Sequence, residues 1–129
     1  LVLNSVCPKA LACDLRKGPL DNAKNTVENY GVADKITLRL SDGFDEIRPH
    51  EADDFIMCGM GGTLIAEKLR ECPWAKDGKH HFIFQPQSRA NDLREFLYSK
   101  KYTVNLSLCK TAVYYGIFIE NGKLILRKE

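Results

Sequence analysis

Apolar positions fall in two rhythms along the chain, and the switching between them lays out a fold. Ala10-Leu11-Ala12-Cys13-Asp14 is a short apolar run ending in an acid, which predicts a strand. Gly18-Pro19 punctuates, and Pro19 suits the first turn of a helix, where its missing N–H costs nothing. Leu20, Ala23, Val27 and Tyr30 follow at helical spacing, with Gly31 as the natural stop. Residues 35–41 alternate: Ile36, Leu38 and Leu40 take one face, Thr37, Arg39 and Ser41 the other. That pattern predicts a strand with one wet face, or a sheet edge. Asp42-Gly43 is a turn. Phe55-Ile56-Met57-Cys58 is continuously apolar, as a central parallel strand should be, and runs into Gly59-Met60-Gly61-Gly62. A helix follows with Leu64, Ile65, Leu69 and Cys72 on one side, and Pro73 ends it. His81-Phe82-Ile83-Phe84 is a second buried-type strand, closed by Gln85-Pro86-Gln87. Ser88 is the expected cap of the next helix, whose stripe is Leu93, Phe96 and Leu97. Residues 102–108 and 115–120 read as strands, and Asn121-Gly122 signals a hairpin into residues 123–127.

Strands that alternate with helices imply a parallel, doubly wound sheet, and the late strands without a helix between them imply an antiparallel end. At 129 residues the chain suits one domain. It opens on Leu1-Val2-Leu3 without an initiator Met, as if cut inside a helix. Composition changes this picture little. A net charge of +2, from 19 basic and 17 acidic residues, lacks the clear excess that announces a nucleic-acid binder, although a local patch can serve. The five cysteines are odd in number and show no CxxC spacing, and the histidines complete no zinc pattern. The thiols are therefore expected to be buried and reduced, in a cytosolic protein. No apolar stretch is long enough to span a membrane, and no signal peptide is visible.

In doubly wound sheets ligands bind beyond the carboxyl ends of the strands, and four such ends carry candidate chemistry. Asp14 is placed to accept from a ribose diol; the plain alternative is a turn or capping aspartate. Asp42 can accept from an adenine amino group while Phe44 packs on the ring; the alternative is an ordinary Asp-Gly turn. Gly59-Met60-Gly61-Gly62 lets a ligand approach the backbone and aims helix N-terminal N–H groups at it; the alternative is a tight strand-to-helix turn. Gln85-Pro86-Gln87 offers amides that can read a planar base; the alternative is a strand end stopped by proline. Arg89, Arg94, Lys100 and Lys101 can form a phosphate-binding face, diluted by Asp92 and Glu95.

Ala12-Cys13-Asp14 with Lys17-Gly18-Pro19, residues 25–31, Ser41-Asp42-Gly43, Gly59-Met60-Gly61-Gly62-Thr63-Leu64-Ile65, Gln85-Pro86 and Tyr114-Tyr115 occur in one order and spacing. In these elements the sequence resembles the bacterial tRNA (adenine-22-N1)-methyltransferase family over essentially its whole length. The resemblance implies an α/β, Rossmann-like class I methyltransferase sheet of order 3-2-1-4-5-7-6, mostly parallel with an antiparallel end. The family's first strand and its glycine-containing loop would precede Leu1, so the chain is expected to be a partial catalytic domain with the first strand missing. The family's helical C-terminal part would follow Glu129, and its usual Gln-Pro-Asn reads Gln85-Pro86-Gln87 here.

The implied activity is S-adenosylmethionine-dependent methylation of tRNA at N1 of an adenine, without a metal. The resemblance places Asp14, Leu15, Asp42, Gly43, Gly59, Gly61 and Gly62 on the cofactor. It places Gly59, Met60, Gln85, Pro86 and Gln87 at the reacting centre. Lys17, Arg89 and Arg94, near strand ends or the following helix starts, are the candidates for tRNA phosphates, and Tyr114 is expected on the same substrate. Two other classes stay open at this point: a nicotinamide-dependent oxidoreductase, and a non-catalytic binding module on the same sheet. The antiparallel end and the lack of a hydride-transfer acid weigh against the first.

Overall fold

The computed structural model describes residues 1–102 and the strand backbone at 105–108, 115–120 and 123–124. The chain forms two compact units, Leu1–Ala52 and Asp53–Glu129.

In the first unit β1 (Ala10–Asp14), α1 (Lys17–Asn29) and β2 (Ile36–Leu40) make a β-α-β turn of chain. The strands are parallel, in a register from Ala10↔Ile36 to Asp14↔Leu40. The α1 helix packs on both. Pro19 stands in its first turn, as expected. Its end is set by Gly31, whose φ of 65° is open to glycine without strain. The Gly31 N–H then donates to Glu28 O and the Val32 N–H to Val27 O, at 3.0 and 2.9 Å, and Val27 and Val32 are buried together. Residues 1–6 form turns rather than the expected helix, with Ser5 N–H on Val2 O and Val6 N–H on Leu1 O.

The second unit contains β3 (Asp54–Cys58), α2 (Gly62–Glu71), β4 (His81–Gln85), α3 (Ala90–Ser99), β5 (Asn105–Leu108), β6 (Tyr115–Glu120) and β7 (Lys123–Leu124). The sheet order is β3-β4-β6-β5, with β7 also on β6. β3 and β4 are parallel; every pairing of β6 is antiparallel. Phe55 and Met57 of β3 alternate onto the same face as Phe82 and Phe84 of β4, and the three phenylalanine rings stack at 5.4 and 5.9 Å. Phe82, Phe84, Ile65, Leu69, Leu93 and Leu97 are the largest fully buried side chains, so α2, α3 and the sheet close one core. Burying each contributes about 1.5–3 kcal/mol. Pro73 does end α2: Cys72 before it is extended, as a residue preceding proline prefers.

The strand order expected from the resemblance is met within each unit. β2-β1 correspond to 3-2, and β3-β4-β6-β5 to 4-5-7-6. Among the described residues β1 pairs only with β2 and β3 only with β4. β3 is buried on one face, not both as expected: Phe55 and Met57 face the core of their unit, while Ile56 is 49% exposed and Cys58 is exposed on the other face. The expectation of uniformly buried thiols fails there too, although burial does push the Cys13 and Cys72 thiols up. β5 begins at Asn105 rather than at residue 102, because Tyr102 is buried and its N–H closes α3 on Leu97 O. Asn121-Gly122 lies outside the described residues, between strands that pair Glu120 with Lys123.

Candidate functional site

Each unit presents a carboxyl edge with its own construction. In the first, Asp14 ends β1 and Asp42 follows β2, two positions beyond Leu40, the partner of Asp14. Parallel pairing therefore brings both acids to one edge. Asp14 Oδ1 accepts from the Arg16 N–H at 2.8 Å, which is the turn role. Its Oδ2 has no partner among the described residues, so the turn leaves one carboxylate oxygen for a ligand. Leu15 is 62% exposed and Lys17 is exposed at the start of α1.

The loop that carries Asp42 is held by side chains. Ser41 is buried; its N–H donates to Asp14 O at 3.0 Å, its hydroxyl donates to Gly43 O at 3.0 Å and accepts from the Glu46 N–H at 3.2 Å. Gly43 supplies a φ of 61°. Arg39 forks onto Glu51 at 2.8 and 2.7 Å and donates to Glu46 O at 2.6 Å, while the Arg48 N–H donates to Glu51 at 2.8 Å. Hydrogen bonds from Arg39 first and the Arg48 N–H second hold the Glu51 carboxyl down at about 2. Phe44 is 7% exposed, so it does not offer the open ring face expected of it. Nothing in the sequence announced the Arg39–Glu51 clamp. The only signal was a charge on an otherwise alternating strand.

In the second unit the loops after β3 and β4 are joined by main chain. The Gly59 N–H donates to Gln85 O at 3.2 Å, the Gln87 N–H to Met60 O at 2.9 Å and the Gly62 N–H to Ser88 O at 2.7 Å. Gly61 bridges Ser88 in parallel. The parallel ladder thus runs on past both strands into the helix starts. The glycines differ in what they do. Gly59 has a φ of 77°, and a Cβ there would stand 3.5 Å from Gln87 Nε2. A Cβ on Gly61 would meet Ser88 Oγ at 3.3 Å. A Cβ on Gly62 would overlap the Arg89 carbonyl, which is backbone and cannot step aside. Gly62 is therefore required by packing where α2 starts against the Arg89 turn. Gln85 Oε1 accepts from the Gly59 N–H at 3.3 Å, Pro86 is buried, and the exposed Gln87 amide lies over Gly59.

Ser88 is not the cap of α3. Arg89 holds that position in the left-handed region, at φ 55° and ψ 35°, without a side-chain cap. The Arg89 side chain is 70% exposed and pairs with Asp92 at 2.8 Å, and Asp92 also accepts from Thr63 Oγ1 at 3.2 Å, tying α3 to α2. Arg94 is turned onto its own helix, donating to Ala90 O and Asn91 Oδ1. Of the four residues expected on tRNA, Lys17 and Arg89 are the exposed ones; Tyr114 lies outside the described residues. No group of His, Cys, Asp and Glu among the described residues is arranged to hold a metal, and no described helix is long and apolar enough to cross a membrane.

A family model described as a methyltransferase domain matches residues 1–118. The chain is 38% identical over 103 residues to the tRNA (adenine(22)-N(1))-methyltransferase of Bacillus subtilis (strain 168), covering 80% of this chain and 43% of that protein. The crystal structure of the B. subtilis m1A22 tRNA methyltransferase TrmK superimposes with a TM-score of 0.77 at 34% identity, over 92% of this chain and 51% of that one. The structure of M. capricolum TrmK with S-adenosyl-homocysteine superimposes with a TM-score of 0.75 at 26% identity, over 100% of this chain and 58% of that one. The chain spans about half the length of these relatives.

Proposed function

The chain belongs to the methyltransferase-domain family that matches its residues 1–118, and from that premise we propose that it is part of the catalytic domain of an S-adenosylmethionine-dependent tRNA methyltransferase acting on N1 of an adenine. The observation that carries the proposal is agreement in both sequence and fold with the B. subtilis m1A22 enzyme over most of the chain.

The residues suit the cofactor. Asp14 keeps a carboxylate oxygen for a ribose hydroxyl, next to the exposed Leu15. Asp42 and Gly43 sit on a braced loop at the same edge and are assigned to the adenine. In the second unit Gly59 and Gly61 are assigned to the cofactor, and Gly59, Met60, Gln85, Pro86 and Gln87 to the reacting centre. S-adenosylmethionine, when bound, supplies an electrophilic methyl group on a sulfonium and leaves as a neutral thioether. The adenine N1 lone pair needs no general base, so the protein's part is to align N1 and exclude water. N1 lies on the pairing edge, so the base must be unpaired or flipped out. Lys17 and Arg89 are assigned to tRNA phosphates, and Tyr114 with Arg94 to the same substrate. Such an enzyme works in the cytoplasm, where its substrate is.

The test uses the full-length protein. Labelled methyl transfer from S-adenosylmethionine to tRNA should appear, with the label on N1 of an adenine by nucleoside mass spectrometry. Binding of NADH with no affinity for S-adenosylhomocysteine would restore the oxidoreductase reading. Cofactor and tRNA binding without transfer would leave a binding module.

A further inference from the structure

An amide side chain is ambiguous about which end it offers a ligand, unless a neighbour decides. At Gln85 a neighbour does. The Gly59 N–H can only donate, and it faces Gln85 Oε1 at 3.3 Å as well as Gln85 O at 3.2 Å. A backbone N–H cannot face Nε2 favourably, so the oxygen end of the amide is fixed toward Gly59. Nε2 then lies at the other end of the planar amide, pointing away from Gly59, with two protons and no acceptor among the described residues. Gly59 holds this N–H in place because its φ of 77° is set by the turn and by the ladder that continues through Gln87 and Gly62. The sequence pattern left the amide free to act as donor, acceptor or both; the fold makes it a donor.

We infer that Gln85 is a specificity residue that donates from Nε2 to N7 or N3 of the target purine and leaves N1 bare. This rests on the proposed function. Adenine has three acceptor ring nitrogens and one donor, the N6 amine. The amine cannot pair with Nε2, which is itself a donor. A donor held on N1 would occupy the lone pair that must form the new bond. N7 and N3 remain. Pyrimidines have no N7, so a contact there sorts purines from pyrimidines, and a contact at either atom orients the ring without competing for the nucleophile.

The discriminating variant is Gln85→Glu. A carboxylate still accepts from the Gly59 N–H at the same length but has no proton to donate at neutral pH. The full-length protein and this variant are assayed on tRNA carrying adenine, 7-deazaadenine or 3-deazaadenine at the target position. Wild type should lose about ten-fold in kcat/KM with one of the two analogues, the scale of one neutral hydrogen bond. Gln85→Glu should show a similar loss on adenine and no further loss with that same analogue, which the double-mutant cycle reads as coupling. Which analogue couples decides between N7 and N3. Two results overturn the inference. One is wild type that loses nothing with either analogue, which stands even if the variant folds poorly. The other is a variant whose loss multiplies independently with both analogues, or that is fully active on adenine. Wild type that binds S-adenosylhomocysteine but methylates no adenine removes the proposed function, and the inference with it.

Discussion

The two carboxyl edges solve one problem in opposite ways. At the acidic edge of Leu1–Ala52 the loop is shaped by side chains: Arg39 on Glu51, and Ser41 between Gly43 and Glu46. At the glycine edge of Asp53–Glu129 it is shaped by main-chain bonds between two loops and by the absence of a Cβ. A loop held by side chains responds to pH and can be weakened one contact at a time. A loop held by backbone is indifferent to pH but has no slack, because backbone atoms cannot rotate away from an intruder.

The largest break should come at Gly62. Gly62→Ala puts a Cβ into the Arg89 carbonyl and should cost about 3 kcal/mol, the upper range for overpacking. Gly61→Ala meets only a serine hydroxyl and should melt within a few degrees of wild type. Urea denaturation of both variants checks this; equal midpoints would mean that the two loops give more than their hydrogen bonds imply.

The acidic edge should fail in function before it fails in folding. Asp14→Ala should weaken S-adenosylhomocysteine binding by about 1.5–3 kcal/mol, the value of a hydrogen bond to a charged acceptor. Asp14→Asn retains an oxygen for the Arg16 N–H and should lose affinity while melting like wild type. Unchanged affinity in calorimetry for both would leave Asp14 a turn residue only.

Binding of tRNA should fall steeply with salt, as phosphate contacts require. Lys17→Ala should reduce the salt slope by about one, and Arg94→Ala should change it less, since Arg94 is engaged by its own helix. A filter-binding series that is flat in salt would argue against a nucleic-acid substrate.

The smallest effect concerns pH. The Glu51 carboxyl is held at about 2, below its ordinary value of 4.5. A carboxyl depressed on folding contributes stability that is fully present above about pH 4.5 and is lost as pH falls toward 2. Gln at this position should therefore flatten the acid limb of the stability curve in that window. If Glu51→Gln and wild type share the same slope there, the clamp does not contribute to stability in solution.

Much of the fold was legible because it rests on local periodicity and on glycine and proline punctuation. Gly31 stopped α1 and Pro73 stopped α2, each through interactions within a few residues, and the alternating 35–41 segment showed its strand period although its partner β1 lies far back in the chain. What was illegible depends on partners far along the chain. Arg39 and Glu51 lie 12 residues apart across a loop with no repeating pattern. The sequence showed three glycines together but could not show that only Gly62 abuts a carbonyl. The apolar run at Phe55 to Cys58 gave no clue that one of its faces would stay open, because burial is a property of neighbours. The candidate site divides in the same way. Asp14, Asp42 and the glycine cluster were visible at strand ends, whereas the orientation of the Gln85 amide required the position of the Gly59 N–H.

The contact of Gly62 with Arg89 bears on how this protein can change over generations. A residue whose only neighbour is a flexible side chain can drift alone, because the neighbour adapts. Gly62 faces the carbonyl of a residue already in a left-handed turn, so a larger residue there demands a new path for positions 88 and 89 at the same time. The start of α3 likewise cannot be remodelled without consulting α2. The two loops should therefore be inherited as a pair: descendants that keep one should keep the other, and exchange of a single loop from a distant relative should yield protein that does not fold.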